Sequence, residues 1–255
     1  MSEDEYQEWL CAKENAKRVE PDAKYGVDCP ICGNKGVLLS WDRENQVRTA
    51  RTCACEKSRA SLRILEKSGV CADWRRKTID GFVASNEWQE VLKSKVSAYI
   101  TDTRRGWLFV SGQSGCGKTH LCTAAFVALV QAGLSGHYKR WSDLMQELDA
   151  AYYTREEYEK LKKPLLTCRV LYLDDLFKHK DNADVSNREF DHTLRILDAR
   201  YQNPELLTIL STEWTLDRLI AFDEALGGRI AERCGKYIVQ VTNVDGRNHR
   251  LQRGE

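Results

Sequence analysis

Residues 112–119 read Gly112-Gln113-Ser114-Gly115-Cys116-Gly117-Lys118-Thr119 and satisfy G-x-x-x-x-G-K-[ST] at every fixed position. Glycines at this spacing let the backbone wrap tightly and aim its N–H groups at an oxyanion. The lysine ammonium would reach the β- and γ-phosphates of a nucleoside triphosphate such as ATP, and the threonine hydroxyl would face Mg2+. A bare Gly-rich turn would not need the flanking pattern. Here a short apolar run, residues 107–110, leads in, and residues 119–131 lead out, apolar nearly all round. A strand before and a buried helix after place the phosphates at a helix N-terminus, where free N–H groups and the helix dipole favour anions.

Such a loop needs a carboxylate at the end of a neighbouring strand. Residues 170–175, Val-Leu-Tyr-Leu-Asp-Asp, supply two. Asp174 is expected to hold Mg2+, directly or through water, and Asp175 to orient the attacking water.

A second chemistry lies upstream. Cys29-Pro30-Ile31-Cys32-Gly33 is a tight knuckle, and Cys53-Ala54-Cys55 follows about twenty residues on. Two close pairs predict a closed tetrahedral zinc site on Cys29, Cys32, Cys53 and Cys55, structural because no position is left open. The second pair is C-x-C, so a redox pair or unrelated buried thiols stand as the alternatives.

The elements that must position these groups alternate. Helical spacing starts at Asn86, with a capping box to Gln89, and carries Trp88, Leu92, Val96 and Tyr99. Further strands are expected at 137–139, 170–173, 206–210 and 237–241. Helices are expected at 58–67, at 142–153 with Ser142 as N-cap, and along Phe190, Leu194, Leu197 and Tyr201. This alternation predicts an α/β fold with a parallel sheet covered on both faces. Residues 1–80 differ, with paired cysteines and few apolar runs, and read as a separate zinc-binding, partly helical domain with its linker. Residues 81–255 form the nucleotide-binding domain. The 255 residues are 30% charged and 42% apolar, with a net charge of +1. Global charge therefore does not mark a nucleic-acid binder, and a basic DNA site must be local. No apolar run approaches the ~18 residues of a membrane span, and the acidic start lacks a secretory pattern. Ten cysteines without such a leader point to a reducing cytoplasm.

Four segments carry a family resemblance: Gly-Cys-Gly-Lys-Thr-His-Leu at 115–121, Leu-Asp-Asp-Leu-Phe-Lys at 173–178, Leu-Asp-Ala-Arg-Tyr at 197–201 and Leu-Ser-Thr-Glu-Trp-Thr at 210–215. Together they resemble the AAA+ ATPases of the DnaC/DnaI helicase-loader group, in their phage and Firmicutes forms, which share their core with the IstB transposition helpers. The resemblance implies a three-layer AAA+ core that hydrolyses ATP and self-associates. It implies nucleotide contacts through His120, and a γ-phosphate sensor at Thr212 or Ser211, with Glu213 where many relatives carry Asn. It implies an arginine finger at Arg229, with Arg233 one turn on, and a second sensor at Arg250. Its implied function is loading a hexameric, DnaB-like replicative helicase onto single-stranded DNA, with the N-terminal domain as the docking part. A transposase helper and a zinc-domain adaptor switched by ATP are the other readings.

Overall fold

The structure, a computed structural model, describes residues 1–21, 26–67, 74–102, 106–179 and 184–241. It opens with helix α1 (Glu3–Ala16), a hairpin of β1 (Val37–Asp42) and β2 (Val47–Thr52), and helix α2 (Cys55–Lys67). Ser2 caps α1 in a full capping box with Glu5, beneath an acidic first turn that suits the helix dipole. At the other end of α1 the Asn15 carboxamide stands in for a strand. Its Nδ2 donates to Leu39 O at 2.8 Å and its Oδ1 accepts from Leu39 N at 2.9 Å. Trp41 Nε1 donates to Asp4 (2.8 Å), and Arg43 grips Glu8 through two nitrogens. Every residue of β2 faces solvent.

The rest alternates: α3 (Glu87–Asp102), β3 (Trp107–Gly112), α4 (Lys118–Gln131), β4 (Gly136–Arg140), α5 (Trp141–Ala150), α6 (Arg155–Thr167), β5 (Val170–Leu176), α7 (Asn187–Tyr201), β6 (Leu207–Thr212), α8 (Leu216–Phe222), α9 (Glu224–Cys234) and β7 (Ile238–Val241). The five strands β4-β5-β6-β3-β7 are all parallel. Successive strand residues point to opposite faces and divide the core. Leu108, Val110, Tyr138, Tyr172 and Ile209 pack with α3 and α4, whereas Phe109, Leu171, Leu173 and Leu210 pack with α5, α7 and α9. The molecule is therefore a three-layer α/β structure. Both faces are covered, so β3 and β6 are buried at every position, as a parallel sheet requires.

Two devices fix the edges. In α2, Leu62 and Leu65 are buried in the same apolar cluster as α4, and Ser61 Oγ accepts the N–H of Gly136 (2.8 Å) at the start of β4. Arg200 is wholly buried. Its guanidinium donates to Leu165 O, Cys168 O, Leu207 O and Thr208 Oγ1 at 2.6–3.0 Å, tying the end of α6 to the start of β6.

Some expectations shift. Helix α5 begins at Trp141 with Arg140 in the cap position, so Ser142 is not its N-cap; the Ser142 hydroxyl turns to Asp143 instead. Helix α2 starts at Cys55 rather than Ser58. Gln89 supplies its half of the box, accepting from Asn86 N (3.0 Å) and Ser85 N (2.6 Å). Among the described residues no helix is long and apolar enough to cross a membrane.

Candidate nucleotide site and cysteine cluster

The loop between β3 and α4 is shaped by glycines in left-handed conformation. Gly117 (φ +97°) also lies under the Phe82 ring, which a Cβ would strike at 2.7 Å. Lys118 is 5% exposed, and its Nζ donates to Gly112 O (2.6 Å) and Gln113 O (2.9 Å), so the charge is held inside the loop's own curve. Cys116 is buried beneath the loop, and burial pushes its thiol pKa up. Segment 77–82 lies along the start of α4, with Thr78 O 2.9 Å from the His120 ring and Phe82 edge-on to it.

Ser114, Gly115, Gly117, Lys118, Thr119 and His120 form one wall of a cavity of about 370 Å³. Asp174 and Asp175 form the opposite wall, with Arg140, Ser142, Lys178, His179, Glu213 and Lys77 around the rim. The expected pair of loop and acidic strand end thus meets in one space.

The carboxylate of Asp174 is almost fully buried and tightly placed. Tyr172 OH donates to Oδ1 (2.8 Å), Tyr138 OH to Oδ2 (3.2 Å), Ser211 Oγ donates to Oδ1, and Thr119 Oγ1 lies 3.5 Å from Oδ1. Thr119 and Asp174 facing each other across the cavity is the donor pair that a Mg2+ ion between them would use. Past Asp174 the β5–β6 register breaks between Leu173 and Leu176. Asp175 takes a left-handed conformation (φ +56°), its N–H on Ser211 Oγ at 3.0 Å, and its side chain is thereby turned to the cavity. Burial, then the neighbouring charge of Asp174, raise its carboxyl pKa above the usual range, with Lys178 at 3.8 Å opposing.

Other sequence candidates are placed differently. The Thr212 hydroxyl is buried, donating to Leu176 O (2.7 Å) and accepting from Trp214 N, and is spent on the strand end. Glu213, one residue on, reaches the cavity rim and pairs with Lys178 at 2.6 Å. Arg229 lies outside the cavity, bonded to Asp198 of α7 at 2.7 Å rather than to Glu224 or Glu232, and is a third exposed. Arg233 donates weakly to Asn203 O and Leu206 O. Arg250 lies outside the described residues. Tyr138, Arg140 and Lys178 were missed by sequence reasoning. The signal for Tyr138 and Arg140 was available, since both stand on the strand that pairs with β5, Arg140 directly opposite Asp174.

The four predicted cysteine ligands converge. All four Sγ atoms lie within 4.8 Å of one another, with Cys29–Cys53 at 3.8 Å and Cys32–Cys55 at 3.6 Å. A tetrahedron of thiolates about 2.3 Å from zinc has edges of about 3.8 Å, so the cage fits that ion. Two separate redox pairs would not gather four sulfurs around one point. The knuckle is fixed by Gly33 (φ +55°), where a Cβ would stand 2.4 Å from Lys17 O, and by Asn34, whose side chain accepts the Cys29 N–H. Gly36 N and the Arg59 guanidinium donate to Cys32 Sγ (3.3 Å) and Cys55 Sγ (3.1 Å). These contacts ease the negative charge that four thiolates carry.

Comparison with known proteins agrees with this geometry. Residues 39–254 match the family model described as IstB-like ATP binding protein. The phage-like element PBSX protein XkdC of Bacillus subtilis (strain 168) is 30% identical over 247 residues, covering 92% of this chain and 90% of that protein. Among solved structures, the DnaC helicase loader superposes with a TM-score of 0.54 at 22% identity, over 67% of this chain and 98% of that one. AMPPCP-bound DnaA from Aquifex aeolicus gives 0.54 at 18% identity over 69% of this chain, which spans only about half (52%) of that chain.

Proposed function

This chain belongs to the IstB-like ATP-binding proteins, and we propose on that footing that it is a Mg2+-dependent ATPase that loads a hexameric replicative helicase onto single-stranded DNA. The observation that carries the ATPase part is the meeting of Lys118, Thr119, Asp174 and Asp175 in one cavity. Lys118 neutralises the outer phosphates, Thr119 and Asp174 hold the ion, and Asp175 takes a proton from the water it orients. Mg2+ held by Thr119 and Asp174 would offset the negative charge that builds on the outer phosphates. The hydroxyls of Tyr138, Tyr172 and Ser211 keep Asp174 from swinging toward Lys118.

The loader part is supported by the zinc-type cage and the hairpin it anchors, which present a wholly exposed strand none of whose residues lines the cavity. We assign residues 1–80 to helicase docking and 81–255 to the ATPase, with α2 packed into the latter's core and Lys77 and Thr78 reaching its nucleotide site. The test mixes the full chain, MgATP and a purified hexameric helicase of a host that carries the gene, and follows helicase transfer to circular single-stranded DNA. A stoichiometric complex and accelerated loading are expected, and Val47→Asp with Arg51→Glu on β2 should weaken the complex about 10-fold without changing ATP affinity. No complex under any nucleotide condition refutes the loader reading. The IstB-like match favours one second reading, assistance to a transposase, and a complex with a transposase alone would establish that instead.

Arg229 acts in trans in this proposal. It stands off its own cavity and needs only to exchange Asp198 for a neighbour's γ-phosphate. Arg229→Ala should keep ATP affinity and lose about 10³-fold or more in turnover. Adding Lys118→Ala subunits, which supply an intact Arg229, should restore hydrolysis at mixed interfaces. Co-assembly without rescue shows that Arg229 is a tie to α7 only.

A further inference from the structure

The rim of the cavity contains an electrostatic contradiction. Glu213 leaves the end of β6 beside the loop that must receive three phosphates, and its carboxylate faces the same space as Asp174 and Asp175. Three carboxylates oppose the binding of a polyanion, and Lys77, Lys118 and Arg140, which line the same cavity, offset part of that charge. The cation that pairs with Glu213 itself is Lys178. Its Nζ sits 2.6 Å from Glu213 Oε1 and 3.8 Å from Asp175 Oδ2, and the pair is only about one third exposed. Phe177, just before it, holds a left-handed turn (φ +61°), and its ring is locked against Trp141, Trp214 and Phe222. The backbone that delivers Lys178 is thus fixed, while the long side chain remains free to pivot.

We propose that Lys178 is a second catalytic cation, parked on Glu213 in the empty site and transferred to the terminal phosphate when a triphosphate binds. The transfer moves no proton: one charge-assisted hydrogen bond is exchanged for another, and Glu213 is left facing solvent at the rim. A diphosphate offers no terminal phosphate at that position, so Lys178 stays on Glu213. The pair therefore reads the presence of the γ-phosphate in cis. This inference rests on the cavity being the ATP site, and its primary readout is binding, which needs no hydrolysis.

The test compares the affinities of full-length variants for Mg2+-ADP and for a Mg2+-bound non-hydrolysable ATP analogue, by calorimetry. Wild-type protein must bind both; if it binds neither, the nucleotide-site reading itself fails and the pair is not in question. Lys178→Ala should lower the preference for the triphosphate by about 10-fold or more while leaving ADP affinity nearly unchanged, and Lys178→Arg should retain most of that preference. Glu213→Gln should act in the opposite direction, tightening the triphosphate several-fold because Lys178 no longer leaves a partner. That opposition in sign separates the proposal from a structural ion pair, whose two halves would weaken the protein alike. Thermal melts of each variant check that the fold is retained. Equal changes for ADP and the triphosphate analogue in Lys178→Ala, or weaker triphosphate binding in Glu213→Gln, overturn it.

Discussion

Lys118→Ala should leave the protein folded and unable to hold ATP, whereas Asp175→Asn should bind ATP normally and fail to turn it over. The ammonium of Lys118 already satisfies loop carbonyls at 2.6 and 2.9 Å, so it is positioned before the nucleotide arrives. Its charge-assisted hydrogen bonds to two phosphate oxygens would contribute about 1.5–3 kcal/mol each, and losing both weakens binding by about 10² to 10⁴-fold. Asp175 is a different case. Asparagine tolerates a left-handed backbone, so the substitution preserves φ near +56° and the N–H contact to Ser211 while removing the base. Loss of a general base costs about 10² to 10⁴ in rate. The direction of its pKa sets the pH profile. Burial and Asp174 raise the carboxyl, and the ionised form is the active one, so turnover climbs with pH through a value above that of a surface carboxylate. The residual rate of Asp175→Asn should lack this limb. Calorimetry with ATP and a phosphate-release assay from about pH 4 to 8 check both statements. Wild-type turnover in Asp175→Asn would remove Asp175 from the chemistry.

The second large effect concerns the cysteines. Purified without chelator, the protein should carry one zinc per chain, measured by elemental analysis. Stripping the metal, or Cys29→Ser, should melt the hairpin and α1, because residues 1–52 bury few apolar side chains: Cys11, Val27 and the cysteines themselves are the buried ones among the described residues. Metal binding in small cysteine-ligated modules supplies about 10–16 kcal/mol of folding free energy, more than that segment can assemble otherwise. Helix α2 is expected to survive, since Leu62 and Leu65 are held by the nucleotide-binding core. Limited proteolysis should accordingly cut on the N-terminal side of Cys55 and spare α2 and the parallel sheet, and ATP binding should persist. Zinc near zero, with all four thiols reacting freely in the native state, would count against the metal.

Much of this was legible in the residues. The loop, the acidic strand end and the four thiols are short local patterns whose chemistry fixes their geometry, and the structure brings each set together. The buried helix α4 and the apolar strands were readable because a parallel sheet is apolar on both faces. The hairpin was not. Strand β2 is Val-Arg-Thr-Ala-Arg-Thr, has no buried face to impose a two-residue rhythm, and is held by its ladder to β1 and by Arg48, which donates to Gln7 of α1. Helix α6 carries a stripe at Tyr158, Leu161, Leu165 and Leu166, but its three lysines and internal proline masked it. The pairing at the rim escaped for another reason. Lys178 and Glu213 are 35 positions apart, and only the β5–β6 pairing makes them neighbours. For Thr212, named with Ser211 as the sensor, sequence shows that a hydroxyl is near the strand end, but not that it donates to Leu176 O.

Helix α2 begins on one cysteine of the cage and ends within the core, and midway it is fastened to the first residue of β4 through Ser61 and Gly136. Strand β4 then runs five residues, roughly 17 Å, to Arg140 at the rim of the nucleotide cavity. In mechanical terms this is a stiff rod hinged to a second stiff rod, with no slack residue at the joint. A load applied at the cage by a docked partner is borne by the sheet edge rather than absorbed in a linker. By the same geometry, a shift at the cavity rim would be passed back along β4 and α2 toward the cage.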